Sequence, residues 1–308
     1  MGYNYKKGIS LEEYFREVIG RLEKGNRFST ARNYAKTIES FKNFIGEGNF
    51  PVSDLTADIM AEYNAYLSQR HVTRNTQSFY NRILRAVYNR AVKEGYVTIC
   101  APSPFEKVYT GVDRTRKRSL TKKELRRIVD MDLGYNQEME LSRDLFLFSF
   151  YARGMCFVDM AYLTWKDVEQ GCIVYVRSKT DQQLQVQIEP CMTAIMDKWK
   201  KHSSLNYVFP ILRTDNPKEA FEEYEYRLCR HNLMLKEIGR RASTPFPLNS
   251  YAARHSWATL ARDSGIPLSV ISGGMGHTSE RTTRIYLSQL EHGVIDRANR
   301  LIIAQVAK

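Results

Sequence analysis

The sequence predicts a mainly α-helical protein of two domains, with one small β element in the second. Apolar residues recur at helical spacing through most of the 308 residues, and a proline-containing basic stretch interrupts this pattern near residue 110. One segment, around residue 180, alternates with the period of a strand. The length suits two domains, because a single domain usually takes about 100–200 residues.

Two helices are predicted in the first part of the chain. Ser10 followed by Glu13 is a capping box, in which each side chain satisfies an unpaired backbone N–H of the first helical turn. The apolar face behind this box ends at Gly25. Ser29 can cap a second helix, which Gly46 stops.

Two more helices complete a small four-helix bundle. Thr56 can cap a third helix through Leu67, and a fourth runs from about Thr73 to Glu94. The fourth helix carries arginines outside its apolar face: Arg74, Arg82, Arg85 and Arg90.

A change of composition marks the boundary between the domains. Prolines at 102 and 104 disfavour helix. A cluster of cations follows: Arg114, Arg116, Lys117 and Arg118. Thr121 and Glu124 then form a second capping box. These features predict an extended, basic linker over about residues 101–118, between a domain of residues 1–112 and a domain of residues 113–308.

The second domain carries the β signal. The run 173–176 is rich in β-branched residues, and from Gln183 to Ile188 apolar residues alternate with glutamine. Five polar residues, Ser178 to Gln182, separate the two runs. We expect a β-hairpin with Lys179 at its tip.

Positive charge extends over both domains. The chain has 46 Lys and Arg residues against 34 Asp and Glu, a formal net charge of +12, of which residues 1–112 contribute +5 and residues 113–308 contribute +7. A polyanion that touches both domains is the simplest explanation. A basic protein without such a partner is the alternative.

Several other classes of protein are disfavoured. With 43% hydrophobic and 26% charged residues, the composition is globular and excludes a disordered or fibrous chain. No apolar run approaches the ~20 residues of a membrane span, and the amino terminus lacks the apolar core of a signal peptide. Five cysteines without a close pair disfavour a disulfide framework or a zinc site. We therefore expect a soluble, cytoplasmic and metal-free protein.

The densest group of potentially reactive residues lies near the C terminus. Arg254 and His255 lie in a predicted helix, a Gly-His pair follows at 276–277, and Tyr286 comes nine residues later. Each alone is more often structural or on the surface. Together their order and spacing resemble the signature of the tyrosine recombinases, the phage integrase family, in which His-x-x-Arg-His precedes Gly-His and then Tyr. The Lys179 hairpin also stands where that family carries its catalytic lysine.

The first-arginine segment of that family resembles the stretch 150–167, which is predicted as one helix. Aligning Asp159 with the family's acidic residue places Cys156, rather than an arginine, at the arginine position. Arg153, about one helical turn earlier, is expected to supply the missing guanidinium, although side chains in helices lean toward the N terminus. Alternatively, Gly154 delays the start of the helix and leaves Arg153 in a turn. A surface ion pair is the competing interpretation of Arg153.

The resemblance implies how the reaction would proceed. Tyr286 would attack a DNA phosphate, and Arg254 and Arg153 would bind its nonbridging oxygens. Lys179 would protonate the leaving 5′ oxygen.

It also implies supporting roles. His255 and His277 would assist through hydrogen bonds to the phosphate or through proton transfer, and orienting Arg254 from the core is the alternative for His255. Tyr251 stands at the first histidine of the motif; its phenol can donate a hydrogen bond to phosphate but carries no positive charge. Asp159 would be structural. The departures from the family motif at Tyr251 and Cys156 leave open the alternative that the chain is an inactive member of the family.

The resemblance further implies the architecture and the partners. An N-terminal helical, SAM-like core-binding domain and an α-rich catalytic domain with a small sheet would close around duplex DNA. DNA contacts are expected from Arg74, Arg82, Arg85, Arg114, Arg116, Lys117 and Arg118. An apolar face over residues 294–306 would pack on a neighbouring protomer in a homotetramer on two DNA sites, or else on its own domain. No cofactor, metal or membrane is expected.

We therefore expect a site-specific recombinase that cuts and rejoins two DNA sites through a 3′-phosphotyrosine intermediate, without metal or ATP, in the cytoplasm at the nucleoid. Inversion, or integration and excision, is the expected outcome. The predicted helices begin at Ser10, which favours a simple reaction over one that needs an extra DNA-binding arm domain. The alternatives are a catalytically silent DNA-binding protein of the same fold and a type IB topoisomerase, which shares the chemistry without choosing a site.

Overall fold

The computed structural model describes residues 8–98, 102–113 and 118–277. The chain divides into two compact units, residues 1–115 and 116–308. The expected fold class, mainly α with a small antiparallel sheet in the second unit, is confirmed. Within the described residues, every helix is too short or too polar to span a lipid bilayer.

Helix caps largely set the elements of the N-terminal unit. Its described helices are α1 (Leu11–Lys24), α2 (Phe28–Ile45), α3 (Ala57–Gln69) and α4 (Arg74–Lys93). The capping box at Ser10 forms as predicted, and Thr56 and Thr73 cap α3 and α4. The prediction for Ser29 was wrong, because α2 begins at Phe28, after Arg27, without a side-chain cap.

The core of this unit is aromatic. Tyr14, Phe15, Phe41 and Tyr63 are fully buried, and the rings of Phe41 and Tyr63 meet edge to face at 5.1 Å. Rings of this size bury large apolar areas, which a small helical bundle needs for its stability.

The described part of the predicted linker, residues 102–113, packs on the helices of the N-terminal unit. Phe105 is buried in the helical core. Farther along, Ser78 donates to the carbonyl oxygen of Gly111 at 2.5 Å, and Asn75 exchanges two hydrogen bonds with the backbone of Asp113. Asn81 donates to the carbonyl oxygen of Tyr109 at 3.2 Å. Polar side chains of α4 thus hold the chain against this helix up to residue 113.

The C-terminal unit has seven described helices and a small sheet. They are α5 (Lys122–Val129), α6 (Gln137–Tyr151), α7 (Phe157–Ala161), α8 (Pro190–Lys200), α9 (Pro217–Arg241), α10 (Ser250–Asp263) and α11 (Leu268–Gly274). Helix α6 packs against α8, α9 and α10 and forms the centre of the unit. The capping box of Thr121 and Glu124 begins α5, as predicted.

The predicted hairpin is present and gains a third strand. The strands are β1 (Val168–Glu169), β2 (Cys172–Val176) and β3 (Gln183–Gln187), all antiparallel in the order β1-β2-β3. In the register of the hairpin, Val176 pairs with Gln183. Lys179 therefore lies in the turn that joins β2 to β3.

The stretch 150–167 is not one helix. Helix α6 ends at Tyr151, and α7 begins only at Phe157. Between them Arg153 and Gly154 have φ angles of +58° and +77°, and the N–H of Gly154 donates to the carbonyl oxygen of Ser149. This left-handed turn ends the helix, so the alternative that places Arg153 in a turn is the correct one.

His231 on α9 is a buried titratable group away from the sheet. It is 4% exposed, and its ring stacks on Phe157 with 4.6 Å between ring centroids. Neither ring nitrogen has a hydrogen-bond partner in the described part of the chain. Burial lowers the pKa of His231 to about 3.

This burial predicts acid sensitivity. Between pH 6.5 and about 3 the unfolded chain binds a proton at His231 that the folded chain does not, so the free energy of unfolding falls as the pH drops through this window. We expect His231 to account for about 2 kcal/mol of the loss between pH 7 and pH 5. His231→Leu should remove this part of the pH dependence in denaturant unfolding curves.

His202→Leu is the control, because His202 is exposed and should leave the acid loss in place. Equal pH dependence in the parent chain and in His231→Leu would contradict the prediction.

Candidate active site

Four segments of the C-terminal unit meet around one buried arginine. They are the turn after α6, the turn between β2 and β3, the first half of α10, and the residues that follow α11. Direct hydrogen bonds join them, so residues far apart in the sequence share one site.

Arg254 is the centre of this site. It is 2% exposed, and its guanidinium donates to the carbonyl oxygens of Gly154 at 2.8 Å and Met275 at 2.5 Å. Its Nη2 also lies 3.1 Å from Nε2 of His277. Because a guanidinium only donates, Nε2 must be the acceptor, and the proton of the neutral ring lies on Nδ1.

His277 is held in its neutral form. It is 8% exposed. Burial, together with the positive charges of Arg254, Arg177 and Lys179, lowers its pKa to about 4. The predicted site residues His277, Arg254 and Lys179 therefore belong to one electrostatic cluster.

The turn that carries Lys179 is anchored by Asp159. The buried carboxylate of Asp159 accepts hydrogen bonds from the N–H of Ser178 at 2.9 Å and from its hydroxyl at 2.7 Å. Lys179 itself is exposed. Because Asp159 fixes Ser178, the exposed amine of Lys179 extends outward from a defined backbone position.

Arg177, which the sequence analysis did not single out, also belongs to the site. It follows β2 directly, is 2% exposed, and donates from Nη1 to the carbonyl oxygen of Gly276 at 2.6 Å. The sequence pattern that could have predicted a buried Arg177 is the alternation of β2. Ile173 and Tyr175 face the core, and the same period puts position 177 on that side.

Arg153 and Cys156 lie beside this cluster. Arg153 is half-buried and donates from Nη1 to the carbonyl oxygen of Gln185 on β3 at 3.3 Å. It directly precedes Gly154, whose carbonyl Arg254 holds. Cys156 is the N-cap residue of α7 and is half-buried.

Tyr251 and His255 lie on α10 with Arg254. Tyr251 is exposed, and its ring meets that of His255 edge to face at 5.2 Å. The two rings thus form a pair one helical turn apart, on the helix that carries the buried arginine.

Several predicted residues fall outside the described part of the chain: Tyr286, Arg114, Arg116, Lys117 and the apolar face over residues 294–306. The other expected DNA contacts, Arg74, Arg82, Arg85 and Arg118, are exposed. Arg74 lies 3.9 Å from the ring of Tyr109 and 3.8 Å from the carboxylate of Asp113. No group of three or more His, Cys, Asp or Glu side chains within the described ranges is arranged to hold a metal ion.

The site carries uncompensated positive charge. Among residues 8–98, 102–113 and 118–277, no carboxylate lies within ion-pair distance of Arg254 or Arg177, and Nε of each has no hydrogen-bond acceptor. Buried cations without a counter-charge are costly, and an anion with several acceptor oxygens offsets that cost. The arrangement is suited to bind a phosphate group.

Gly154 makes the close approach of Arg254 possible. A Cβ at this position would lie 2.8 Å from Cα and from Cγ of Arg254. Gly154→Ala should therefore lower the free energy of unfolding by the cost of a left-handed alanine, roughly 1 kcal/mol, and by about 2 kcal/mol more for displacing α10. Denaturant unfolding of the full chain measures this loss.

Gly134→Ala is the matched control. Gly134 also has a left-handed φ, +61°, but nothing lies within 4 Å of its added Cβ. Equal losses in the two variants would show that the contact with Arg254 does not constrain position 154.

Comparison with known families places this geometry in context. Residues 10–108 match the phage integrase SAM-like domain, and residues 118–292, more than half of the chain, match the phage integrase family.

Curated relatives and a solved structure agree. The tyrosine recombinase of Thermosipho africanus is 22% identical over 305 residues, covering 94% of this chain and 98% of the relative. Tyrosine recombinase XerC of Pediococcus pentosaceus is 22% identical, covering 90% and 93%. The fold is similar to that of a lambda integrase dimer bound to a core site, with a TM-score of 0.64 at 15% identity, over 90% of this chain and 95% of that one. The chain therefore belongs to the phage integrase family, the tyrosine recombinases, which are DNA strand-exchange enzymes.

Proposed function

We propose that this chain is a site-specific recombinase that cuts and rejoins two duplex DNA sites through a covalent 3′-phosphotyrosine intermediate on Tyr286. The observation that supports this most is the buried guanidinium of Arg254, bonded to His277 and lacking a carboxylate partner in the described part of the chain. Inversion, or integration and excision, of DNA at the nucleoid is the proposed outcome.

A covalent intermediate suits strand exchange without a metal or ATP. When the Tyr286 oxygen bonds to phosphorus, the P–O5′ bond breaks, and the energy of the phosphodiester is kept in the phosphotyrosine. The free 5′ hydroxyl of another strand reverses the step and joins the new partner. Because the pKa of a free tyrosine is about 10, its hydroxyl needs help to lose the proton.

The cationic residues have separate tasks in this scheme. Arg254 and Arg153 bind the nonbridging oxygens, on which negative charge accumulates in the transition state. Lys179 donates a proton to the leaving 5′ oxygen. The exposed position of Lys179 above the anchored Ser178 supports this assignment.

The neutral residues complete the scheme. His255 and His277 serve in hydrogen bonding to the phosphate or in proton transfer. The low pKa of His277 keeps its ring neutral at physiological pH, so that its Nδ1–H can donate a hydrogen bond. Tyr251 donates a hydrogen bond to the phosphate from its exposed position. Asp159 acts structurally, through Ser178.

Duplex DNA is the proposed partner of both units, since each carries net positive charge. Exposed Arg74, Arg82, Arg85 and Arg118 are the described candidates for phosphate contacts. We also propose a homotetramer on two DNA sites in which the apolar segment 294–306 packs on a neighbouring protomer.

The decisive experiment is covalent capture of DNA. A duplex is selected from a randomised pool by its retention on the full chain and is then incubated with it. Tyr286→Phe should abolish the adduct that survives detergent while leaving binding within about twofold, because only the nucleophilic oxygen is lost. Tyr135→Phe, at a fully exposed tyrosine, is the control and should form the adduct.

Two outcomes would contradict the proposed intermediate: adduct formation by Tyr286→Phe, or no adduct with the parent chain on any selected duplex. The second outcome would favour a silent DNA-binding protein. Adducts on all duplexes alike, with relaxation of supercoiled plasmids, would favour a topoisomerase.

The role of Arg153 has its own test. If its guanidinium replaces the missing arginine, Arg153→Ala should lower the rate of adduct formation by about 100-fold or more. Cys156→Ala should change this rate only a few-fold, because a thiol adds no positive charge. A near-normal rate in Arg153→Ala would assign the role to another residue.

A further inference from the structure

Arg177 closes the turn that carries Lys179. Its N–H donates to the carbonyl oxygen of Gln182 at 2.9 Å, and its own carbonyl oxygen accepts from the N–H groups of Thr180 at 3.2 Å and Asp181 at 2.9 Å. The loop from 177 to 182 therefore closes on the backbone of this one residue.

The side chain of Arg177 ties the same turn to the segment before His277. Nη1 donates to the carbonyl oxygen of Gly276, while Arg254 donates to that of Met275. Two guanidinium groups, one from the hairpin and one from α10, thus hold consecutive carbonyl oxygens immediately before His277. The position of this imidazole is set from both sides.

Close packing reinforces the link. A Cβ at Gly276 would lie 2.8 Å from Cδ1 of Leu184 on β3 and 3.2 Å from Cδ of Arg177. The φ of Gly276 is +62°, which also favours glycine. The hairpin therefore rests directly on the Gly276–His277 segment.

The side chain of Arg177 is buried and bonded within the protein. It is 2% exposed, and Nη1 is bonded to Gly276. Burying a guanidinium that has no carboxylate partner in the described ranges costs desolvation free energy. An apolar side chain of similar length would fill the same space without that cost. We therefore attribute the presence of Arg177 to the groups that it hydrogen-bonds and not to the space that it fills.

We propose that Arg177 is a positioning residue of strand exchange, which locks the Lys179 turn to the Gly276–His277 segment so that the lysine reaches the 5′ oxygen of the phosphate held by Arg254. This inference rests on the proposed function. It assigns to Arg177 an effect on protonation of the leaving group and no direct contact with DNA.

The test separates leaving-group protonation from general damage. In the selected duplex, the 5′ oxygen at the scissile position is replaced by sulfur. A thiolate is a far weaker base than an alkoxide, so it leaves when the P–S bond breaks without receiving a proton. A residue that acts through Lys179 becomes dispensable on this substrate.

Arg177→Met should lower the rate of adduct formation on the oxygen duplex on the order of 100-fold, the usual contribution of a general acid. On the sulfur duplex its rate should return close to that of the parent chain, as should that of Lys179→Ala. Arg177→Lys, which keeps the charge but not the forked donors, should be intermediate on oxygen. Arg241→Met, on the surface of α9, should match the parent on both duplexes.

The remaining outcomes would overturn either this proposal or the proposed function. An equal defect of Arg177→Met on both duplexes, or no defect, would overturn the proposal. If Arg177→Met shows no cooperative melting, the ratio of sulfur to oxygen rates in Arg177→Lys decides, and a ratio equal to that of the parent overturns it. Failure of the parent to form any adduct contradicts the proposed function, and the role of Arg177 falls with it.

Discussion

The hydrogen bonds of Arg254 are the interaction on which the rest of the site depends. One guanidinium binds a carbonyl oxygen 100 residues earlier in the chain and another 21 residues later, and it reaches the ring of His277 as well. Because these bonds have fixed directions, they set the spacing of the turn after α6, α10 and the end of α11. The left-handed Gly154 is the structural condition for this arrangement, since any side chain there would displace the arginine.

The cations at this site are paired differently from other cations of the C-terminal unit. Buried Asp144 accepts from Arg143, Lys198 and Trp199, and the carboxylate of Glu138 accepts from Nε and Nη2 of Arg230. Cations in those places are matched by carboxylates. In the described part of the chain, Arg254 and Arg177 are matched by neutral acceptors, namely carbonyl oxygens, the ring of His277 and the hydroxyl of Thr180, which satisfy donors without cancelling charge. Their field is therefore available to a phosphate, and it adds to the effect of burial in keeping His277 neutral.

Local signals predicted the fold well, and long-range contacts explain the errors. Helix starts with a Ser or Thr cap, such as Ser10 and Thr121, were found because the cap bonds to its own first turn. The course of the chain after α4 depends on side chains some thirty residues earlier, which no local signal indicates: Asn75 and Ser78 of α4 bond to the backbone at 113 and 111. Arg177 was missed because motif spacing draws attention to Lys179 and not to the buried side of its strand.

The departure at Cys156 is best understood from the hairpin. Arg153 donates to the backbone of β3, Arg177 holds the end of β2 to Gly276, and Asp159 fixes Ser178 between them. The Lys179 turn is thus held on both strands and at its base. A member of the family that has a thiol at position 156 keeps two arginines around the same hairpin, one of them in a left-handed turn that costs free energy to maintain. Such a cost is expected where backbone geometry serves a site, and Arg153 and Arg177 together place two cations beside the Lys179 hairpin.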